Sequence, residues 1–199
     1  YIPLLQWLEN YLSSERIVKD LEEASGRISG LVTAIKSHVH MDRTNEMQPT
    51  HIHDDIENTL TLLGYKLREK NIMVKKNFSE THPEVCAYIG ELNQVWTNLI
   101  DNAIYAMPQN GELTIQTSYD NKFAEVRIID NGSGIPAEIK SRIFDPFFTT
   151  KKVGDGTGIG LDLVNRIIKH HNGEIKVNSV PGKTEFIICI PLTPAKSSA

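Results

Sequence analysis

The sequence has few cysteines and no long hydrophobic run. Only Cys86 and Cys189 are present, both in apolar, strand-like stretches. This favours two buried thiols in a reducing compartment over a disulfide framework, with a single bridge as the alternative. The longest apolar runs, such as residues 186–190, are far shorter than the ~20 residues that cross a bilayer. No basic-then-apolar signal segment opens the chain. We therefore expect a cytoplasmic location and no membrane contact within this chain.

The sequence also lacks an excess of basic residues. It has 21 Lys and Arg against 25 Asp and Glu, a formal net charge of −4. Because no basic field attracts a polyanion, we expect no nucleic-acid partner. Its 199 residues, 40% of them hydrophobic, suffice for one full domain and an appendage. The chain opens at Tyr1 without a methionine, so we interpret it as a fragment.

Residues 1–46 differ from the rest and are predicted to form a helical segment. Small and apolar side chains recur at steps of three and four from Leu21 to Val39, which places one stripe along a helix. Such a stripe needs a partner, either another helix of the chain or a second copy in a homodimer. The polar stretch 44–50, which includes Pro49, is interpreted as a linker.

Residues 47–194 are predicted to form an α+β domain, and residues 195–199 a tail. Helices are predicted at 56–66, 91–107 and 158–171. Extended segments are predicted at 72–74, 85–89, 112–118, 123–129, 174–178 and 185–190, with hairpin turns at 120–121 and 181–182. A long irregular stretch spans 136–156. Helices and mostly antiparallel strands in this order favour a two-layer α/β sandwich.

The polar face of the helix predicted at 91–107 carries two asparagines, Asn98 and Asn102, one turn apart. Asparagine competes for the backbone and lowers helix propensity, so it is a poor choice for a solvated face. Its amide oxygen can instead ligate a divalent cation or bind the water around it. A solvated face with two incidental asparagines is an equally good interpretation of this helix alone.

A first glycine-rich segment, Asp130-x-Gly132-x-Gly134, follows a predicted strand. A carboxylate at a strand end can accept a hydrogen bond from an exocyclic amino group such as that of adenine. The two glycines let the chain turn sharply and approach a ligand closely. An ordinary Asp-Asn-Gly turn is the alternative, and such turns are common.

A second glycine-rich segment, with Gly156, Gly158 and Gly160, opens the helix predicted at 158–171. Backbone N–H groups bared by glycines at a helix start form an anion site suited to phosphates. The segment lacks the Gly-Lys-Ser/Thr ending of a P-loop, and it follows a loop rather than a Rossmann strand. Lys151 and Lys152, just upstream, either meet phosphate charge or belong to a solvated loop.

Taken together, these segments resemble the ATP-binding domains of the gyrase, heat-shock chaperone, histidine kinase and MutL superfamily. Five elements follow the order of that superfamily, and the resemblance covers residues 50–192. They are the N box Gln94-x-x-x-Asn98-Leu-x-x-Asn102-Ala, the first glycine box Asp130-x-Gly132-x-Gly134, the F box Phe144-Asp145-Pro146-Phe147-Phe148, the second glycine box Gly156-x-Gly158-x-Gly160-Leu, and Gly182-x-Thr184. The F box and Asn98 point to the sensor histidine kinases.

The resemblance implies ATP and Mg²⁺ as ligands. Asp130 would hydrogen-bond the adenine amino group, with Thr184 beside it through water. Asn102 would ligate Mg²⁺, and Asn98 and Lys151 are the catalytic candidates. Residues 139–156 would be the lid over ATP. The nucleotide-binding candidates are Asn98, Asn102, Tyr105, Asp130, Gly132, Gly134, Ile135, Phe147, Lys151, Lys152, Gly156, Thr157, Gly158, Ile159, Gly160, Leu161 and Thr184.

The implied activity is that of a protein histidine kinase in two-component signalling. None of the seven histidines fits the phosphoacceptor motif of the family, and residues 24–42 resemble the second helix of the dimerisation and phosphotransfer hairpin. The γ-phosphate of ATP would therefore pass to a histidine outside this chain, and the partners would be a phosphoacceptor helix and a response regulator. The alternatives are a serine kinase of the anti-sigma type and a non-catalytic nucleotide-binding scaffold.

The resemblance also implies slow hydrolysis of ATP. Hydrolysing relatives carry a glutamate where Asn98 stands. An amide cannot act as the general base that activates water. We therefore expect the site to hold ATP for transfer to a partner rather than to hydrolyse it quickly.

Overall fold

A computed structural model of the chain describes residues 46–81, 83–151 and 156–192. The helix predicted within residues 1–46 lies outside them except for its last residue, and so do Lys152 and the tail at 195–199. The elements in chain order are β1 (Gln48–Thr50), α1 (Ile52–Leu62), α2 (Gly64–Glu69), β2 (Met73–Asn77), β3 (Val85–Ala87), α3 (Ile89–Ala106), β4 (Glu112–Tyr119), β5 (Phe123–Asp130), α4 (Ala137–Lys140), α5 (Gly160–His170), β6 (Glu174–Val180) and β7 (Lys183–Pro191).

Five of the strands form one mixed sheet in the order β2-β4-β5-β7-β6. Only the pair β2–β4 is parallel, and the other three pairs are antiparallel. Along β4, β5 and β7 the buried side chains alternate with more exposed ones, because one face of the sheet packs on the helices. This is the predicted two-layer α+β architecture.

Helices α3 and α5 lie against the sheet and supply much of the core. Trp96, Leu99 and Ile100 of α3 are fully buried, as are Ile128 of β5 and Ile167 of α5. Full burial of such a side chain stabilises the fold by about 1.5–3 kcal/mol, so this layer fixes α3 and α5 firmly against the strands. The ends of these two helices hold the residues of the candidate site.

Several predicted boundaries differ from the observed ones, among them those of β1, α1 and β3. Residues 48–50, interpreted as a linker, form β1, whose Gln48 lies opposite Ala87 in a separate antiparallel pair with β3. The helix predicted at 56–66 begins at Ile52 and is interrupted at Leu63 between α1 and α2. The strand predicted at 85–89 ends at Ala87, because Ile89 already begins α3. The β1–β3 pairing is a long-range contact, which the local pattern of residues 48–50 does not show.

The described residues bear on two expectations, those on membrane-spanning helices and on the two cysteines. Within residues 46–81, 83–151 and 156–192, no helix has both the length and the apolar character that crossing a bilayer requires. Cys86 and Cys189 are both free thiols and both partly exposed. The single bridge considered from the sequence is therefore not formed.

Candidate functional site

A cleft of about 470 Å³ opens between α3, the start of α5 and the ends of β5 and β7. This volume falls within the range of small-molecule sites, about 300–1,000 Å³. Its walls come from segments far apart in the sequence, because the sheet register brings the end of β5 beside β7 and packs α3 across them. The lining residues are Asn98, Asp101, Asn102, Ala103, Tyr105, Ala106, Asp130, Ser133, Gly134, Ile135, Pro136, Ile139, Ile143, Phe148, Thr149, Thr150, Lys151, Gly156, Thr157, Gly158, Gly160, Leu161, Thr184 and Phe186.

Asp130 forms the polar floor at one end of the cleft. It is the last residue of β5 and only 3% exposed. Its Oδ1 accepts a hydrogen bond from the Gly132 N–H at 2.9 Å. Burial raises the pKa of Asp130 to about 6, and the Gly132 N–H offsets part of that rise. A buried carboxylate facing a cleft is a strong acceptor for an amino group of a bound ligand.

The wall beside Asp130 is a network between the 133–136 turn and the β6–β7 hairpin. Thr184 lies opposite Asp130 in the β5–β7 register. Its hydroxyl is 3.0 Å from Ser179 Oγ, which accepts the Ile135 N–H at 2.8 Å. Gly134 has φ +81°, and a Cβ there would lie 2.4 Å from the Val180 carbonyl oxygen. Glycine at 134 is therefore required for the turn to close against the hairpin.

Asn98 of α3 faces the start of α5. Its Nδ2 donates to the Gln94 carbonyl at 2.7 Å, which fixes the orientation of the amide. A Cβ at Gly160 would lie 2.6 Å from Asn98 Oδ1, so only glycine lets the first turn of α5 approach this oxygen. The two helices thus place a carboxamide oxygen next to a helix N-terminus.

Asn102, one turn further along α3, is in contact with the ammonium group of Lys151. Its Oδ1 accepts a hydrogen bond from Lys151 Nζ at 3.0 Å. The same ammonium lies 4.3 Å from the centre of the Tyr105 ring, a distance suited to a cation–π contact. A carboxamide oxygen is a ligand type that Mg²⁺ accepts, and this one faces a cleft and tolerates positive charge. Asn102 therefore fits the metal-binding role implied by the resemblance.

A second lysine stands at the rim of the cleft. Lys66 of α2 pairs with the carboxylate of Asp101, and both side chains are 35% exposed. The contact with Asp101 raises the pKa of Lys66. No sequence pattern indicates this pair, because 35 residues separate the partners and the Lys66 helix shows no motif.

The other end of the cleft is the start of α5, an 11-residue helix. Gly156 and Gly158 precede it, and Gly158 has φ +68°. A Cβ at Gly158 would lie 2.4 Å from the backbone of Phe147, so this glycine lets the F-box segment pack against the helix start. An uncrowded helix N-terminus carries partial positive charge and suits an anion.

Thirteen of the predicted site residues line the cleft together, and three other described ones do not. Gly132 lies behind Asp130, Ile159 is absent from the lining, and Lys152 is outside the described residues. Phe147 is 66% exposed with φ +65°, while its neighbour Phe148 lines the cleft instead. The thirteen are Asn98, Asn102, Tyr105, Asp130, Gly134, Ile135, Lys151, Gly156, Thr157, Gly158, Gly160, Leu161 and Thr184.

Sequence reasoning missed most of the apolar lining. Phe186 was available from the pattern, because it lies two residues after Thr184 on the same face of β7. Ile139 and Ile143 had no such signal, since they lie in a segment without a regular period. The sequence pattern does not show that Phe148 rather than Phe147 lines the cleft. Phe147 has a left-handed backbone conformation, which the pattern does not predict.

Comparison with protein families identifies one matching model. Residues 88–194 match the family described as histidine kinase-, DNA gyrase B-, and HSP90-like ATPase. That range includes every described element from the start of α3 to the end of β7, and all the lining residues of the cleft. The match thus covers slightly more than half of the chain.

Comparison with curated proteins finds sensor kinases. The sensory histidine kinase/phosphatase NtrB of Rhodobacter capsulatus is 34% identical over 165 residues, which is 76% of this chain and 46% of NtrB. Sporulation kinase C of Bacillus subtilis is 38% identical over 145 residues, which is 71% of this chain and 33% of the kinase. The chain therefore spans less than half the length of these relatives.

Comparison with solved structures finds kinase catalytic domains. The nucleotide-free catalytic domain of histidine kinase ThkA superposes with a TM-score of 0.68 at 31% identity, covering 75% of this chain and 97% of that domain. A structure of ThkA in complex with the response regulator TrrA gives a TM-score of 0.69 at 29% identity. It covers 86% of this chain and 50% of the ThkA chain.

Proposed function

Because the chain belongs to the histidine kinase-, DNA gyrase B-, and HSP90-like ATPase family, we propose that it binds Mg²⁺–ATP as the catalytic domain of a sensor histidine kinase. The γ-phosphoryl group passes to a histidine outside this chain. The bond from the γ-phosphorus to its bridging oxygen breaks, a bond to an imidazole nitrogen forms, and ADP leaves. The named relatives are histidine kinases, which favours this activity over that of an anti-sigma-type serine kinase.

The opposed ends of the cleft carry this proposal. One end has the buried Asp130 carboxylate, which accepts from an amino group on a purine ring. The other end has Asn102 and the start of α5 at Gly160, which suit a metal-bound phosphate chain. Apolar side chains line the space between, so a flat base and a charged tail have separate places.

The chain's own residues orient the nucleotide. Asp130 and Thr184 select the base by hydrogen bonding, and Phe148 and Phe186 exclude water from around the ring. Asn102 would hold Mg²⁺, which would supply positive charge against the phosphates. Asn98, beside the start of α5, contributes an amide rather than a general base, so water is not activated efficiently.

The partners follow from the chemistry and from ThkA. A domain that lacks its own acceptor histidine needs a phosphoacceptor helix, and the ThkA–TrrA complex supports a response regulator as the next carrier. The helix predicted in residues 1–46 supports a homodimer. We place the reaction in the cytoplasm, where ATP is supplied.

Calorimetric titration with ADP and Mg²⁺ tests the nucleotide site. We expect binding by the unmodified chain and a loss of affinity of about tenfold or more in both Asp130→Asn and Asn102→Ala, since each removes one polar contact worth about 1.4 kcal/mol or more. Asp54→Asn and Asn58→Ala are matched controls, because both side chains are exposed on α1. An unmodified chain that binds no nucleotide at millimolar concentrations would contradict the proposal.

A further inference from the structure

The Lys151 ammonium donates a hydrogen bond to Asn102 Oδ1, the oxygen that would bind the metal in the proposed function. Lys151 Nζ donates to Asn102 Oδ1 at 3.0 Å and rests on the Tyr105 ring at 4.3 Å. Both partners belong to α3, whereas Lys151 lies just after the F box. A positive charge from outside α3 therefore contacts the wall of the cleft.

The local sequence supports this position of Lys151. The Lys151 N–H donates to Thr149 Oγ1 at 3.1 Å, which turns the chain toward the cleft. A Cβ at Gly156 would lie 2.8 Å from Lys151 Cδ and 2.9 Å from Thr149 Oγ1. The absence of a side chain at 156 thus leaves the path along which the lysine stem reaches Asn102.

Electrostatic repulsion opposes the simultaneous binding of Mg²⁺ and the Lys151 ammonium to Asn102 Oδ1. Mg²⁺ binds oxygen at about 2.0–2.1 Å, and an ammonium hydrogen bond is about 2.8–3.0 Å long. Two cations on one amide oxygen would lie about 4 Å apart, where like charges in a partly buried site repel strongly. One of them has to leave before the other can bind.

We propose that Lys151 is a built-in placeholder for Mg²⁺ on Asn102, which has to be displaced before the metal binds. This inference rests on the proposed function. The incoming phosphates carry several negative charges and give the displaced ammonium a new partner. Mg²⁺ and nucleotide therefore bind cooperatively, and metal alone binds poorly, because without phosphates the ammonium stays on Asn102.

The first experiment measures the Mg²⁺ requirement for ADP binding. A fluorescent ADP analogue is titrated into the chain at a series of Mg²⁺ concentrations, and the half-saturating Mg²⁺ concentration is compared between the unmodified chain and Lys151→Met. We expect that concentration to fall by about tenfold in the variant, since one competing charge is removed. Without Mg²⁺ the variant should bind the analogue more weakly, because it lacks the phosphate contact. Lys176→Met, an exposed lysine on β6, is the control.

The second experiment uses metal without nucleotide. Mn²⁺ replaces Mg²⁺ as a paramagnetic probe, and its binding is followed by water proton relaxation. The unmodified chain should bind Mn²⁺ weakly and Lys151→Met more tightly. Gly156→Ala should change binding in the same direction, because it crowds the lysine stem without removing its charge, and it carries the test if Lys151→Met fails to fold.

The outcomes separate this inference from the proposed function. If Lys151→Met needs as much Mg²⁺ as the unmodified chain, or more, Lys151 is only a phosphate ligand and the placeholder role is wrong. Equal affinity of Mn²⁺ for all three proteins would overturn it in the same way. If the unmodified chain binds no ADP at any Mg²⁺ concentration, the proposed function itself fails and this inference falls with it.

Discussion

At the scale of single residues, Asp130 shows how a binding site and a stable fold make opposite demands. The carboxylate is 3% exposed, and its Oδ1 accepts a hydrogen bond from the Gly132 N–H. Burial raises the pKa of Asp130 from 3.8 to about 6. Because the folded state disfavours the ionised form, this side chain stabilises the fold fully only below about pH 4. That contribution is lost as the pH rises through about 6.

Asp130→Asn should therefore stabilise the domain at neutral pH while it impairs nucleotide binding. The amide oxygen can still accept the Gly132 N–H, and no charge has to be buried. We expect the free energy of unfolding to rise by about 1–2 kcal/mol above pH 7, after allowing for screening by solvent at the mouth of the cleft. The gain should vanish near pH 4, where the native carboxyl is protonated.

Thermal unfolding followed by circular dichroism from pH 4 to pH 8 checks this expectation. Asp54→Asn, an exposed change on α1, should give a curve parallel to that of the unmodified chain. A destabilised Asp130→Asn at pH 7.5 would contradict the argument and would mean that the ionised carboxylate makes a stabilising contact in the native state.

Residue identities in the site were easier to predict than their contacts. Asp130, Asn102 and Gly134 stand in motifs whose chemistry is legible in the sequence, and all three line the cleft. The contact between Lys151 and Asn102 joins positions 49 residues apart. No period or motif fixes where a flexible lysine side chain ends, so such a contact becomes visible only in the fold.

At the scale of elements, the end of α3 depends on a residue from another part of the chain. The last turn of α3 contains no basic residue of its own. Lys70, just after α2, supplies the positive charge, since its Nζ donates to the carbonyls of Ile104, Tyr105 and Met107 at 2.8, 3.1 and 2.9 Å. These carbonyls have no partner within the helix, and a cation there also complements the helix dipole.

Lys70→Met should fray the end of α3. We expect a loss of about 1–2 kcal/mol in the free energy of unfolding, because three carbonyls lose a charged donor. Hydrogen exchange should quicken at the amides of the last turn, and nucleotide affinity should fall modestly because Tyr105 lies on that turn and Asn102 directly precedes it. Lys122→Met, an exposed lysine in the β4–β5 turn, is the matched control. Unchanged exchange at the end of α3 would refute the capping role.

The elements also show which boundaries a sequence can predict. Helix α3 was predicted within two residues at each end, because its apolar face is long and Pro108 follows it. Residues 48–50 are predicted as linker but form strand β1. A segment of three residues is too short to show an alternating pattern, and its pairing with β3 depends on a contact 39 residues away. Short elements held by distant partners lack a local signal.

At the scale of the whole molecule, the domain belongs to a family in which one nucleotide fold serves both hydrolysis and phosphoryl transfer. Whether ATP is hydrolysed or its γ-phosphoryl group is transferred depends on whether water or an acceptor side chain reaches the γ-phosphate. Inside the cleft, Asn98 presents an amide whose Nδ2 is held by the Gln94 carbonyl. An amide cannot act as a general base toward water, so under the proposed function we expect the cleft by itself to hold ATP intact.

The chain alone should therefore bind ATP, hydrolyse it slowly and not label itself, and it should phosphorylate a separate acceptor hairpin in trans. Transfer needs an imidazole placed in line with the γ-phosphate, and no histidine of the described cleft lining can supply one. Incubation with γ-labelled ATP, with and without an acceptor hairpin from a sensor kinase, measures all three quantities. A hairpin with its acceptor histidine replaced by alanine is the control. Rapid release of inorganic phosphate by the chain alone would contradict the role assigned to Asn98, and label on the chain itself would place the acceptor within residues 1–199.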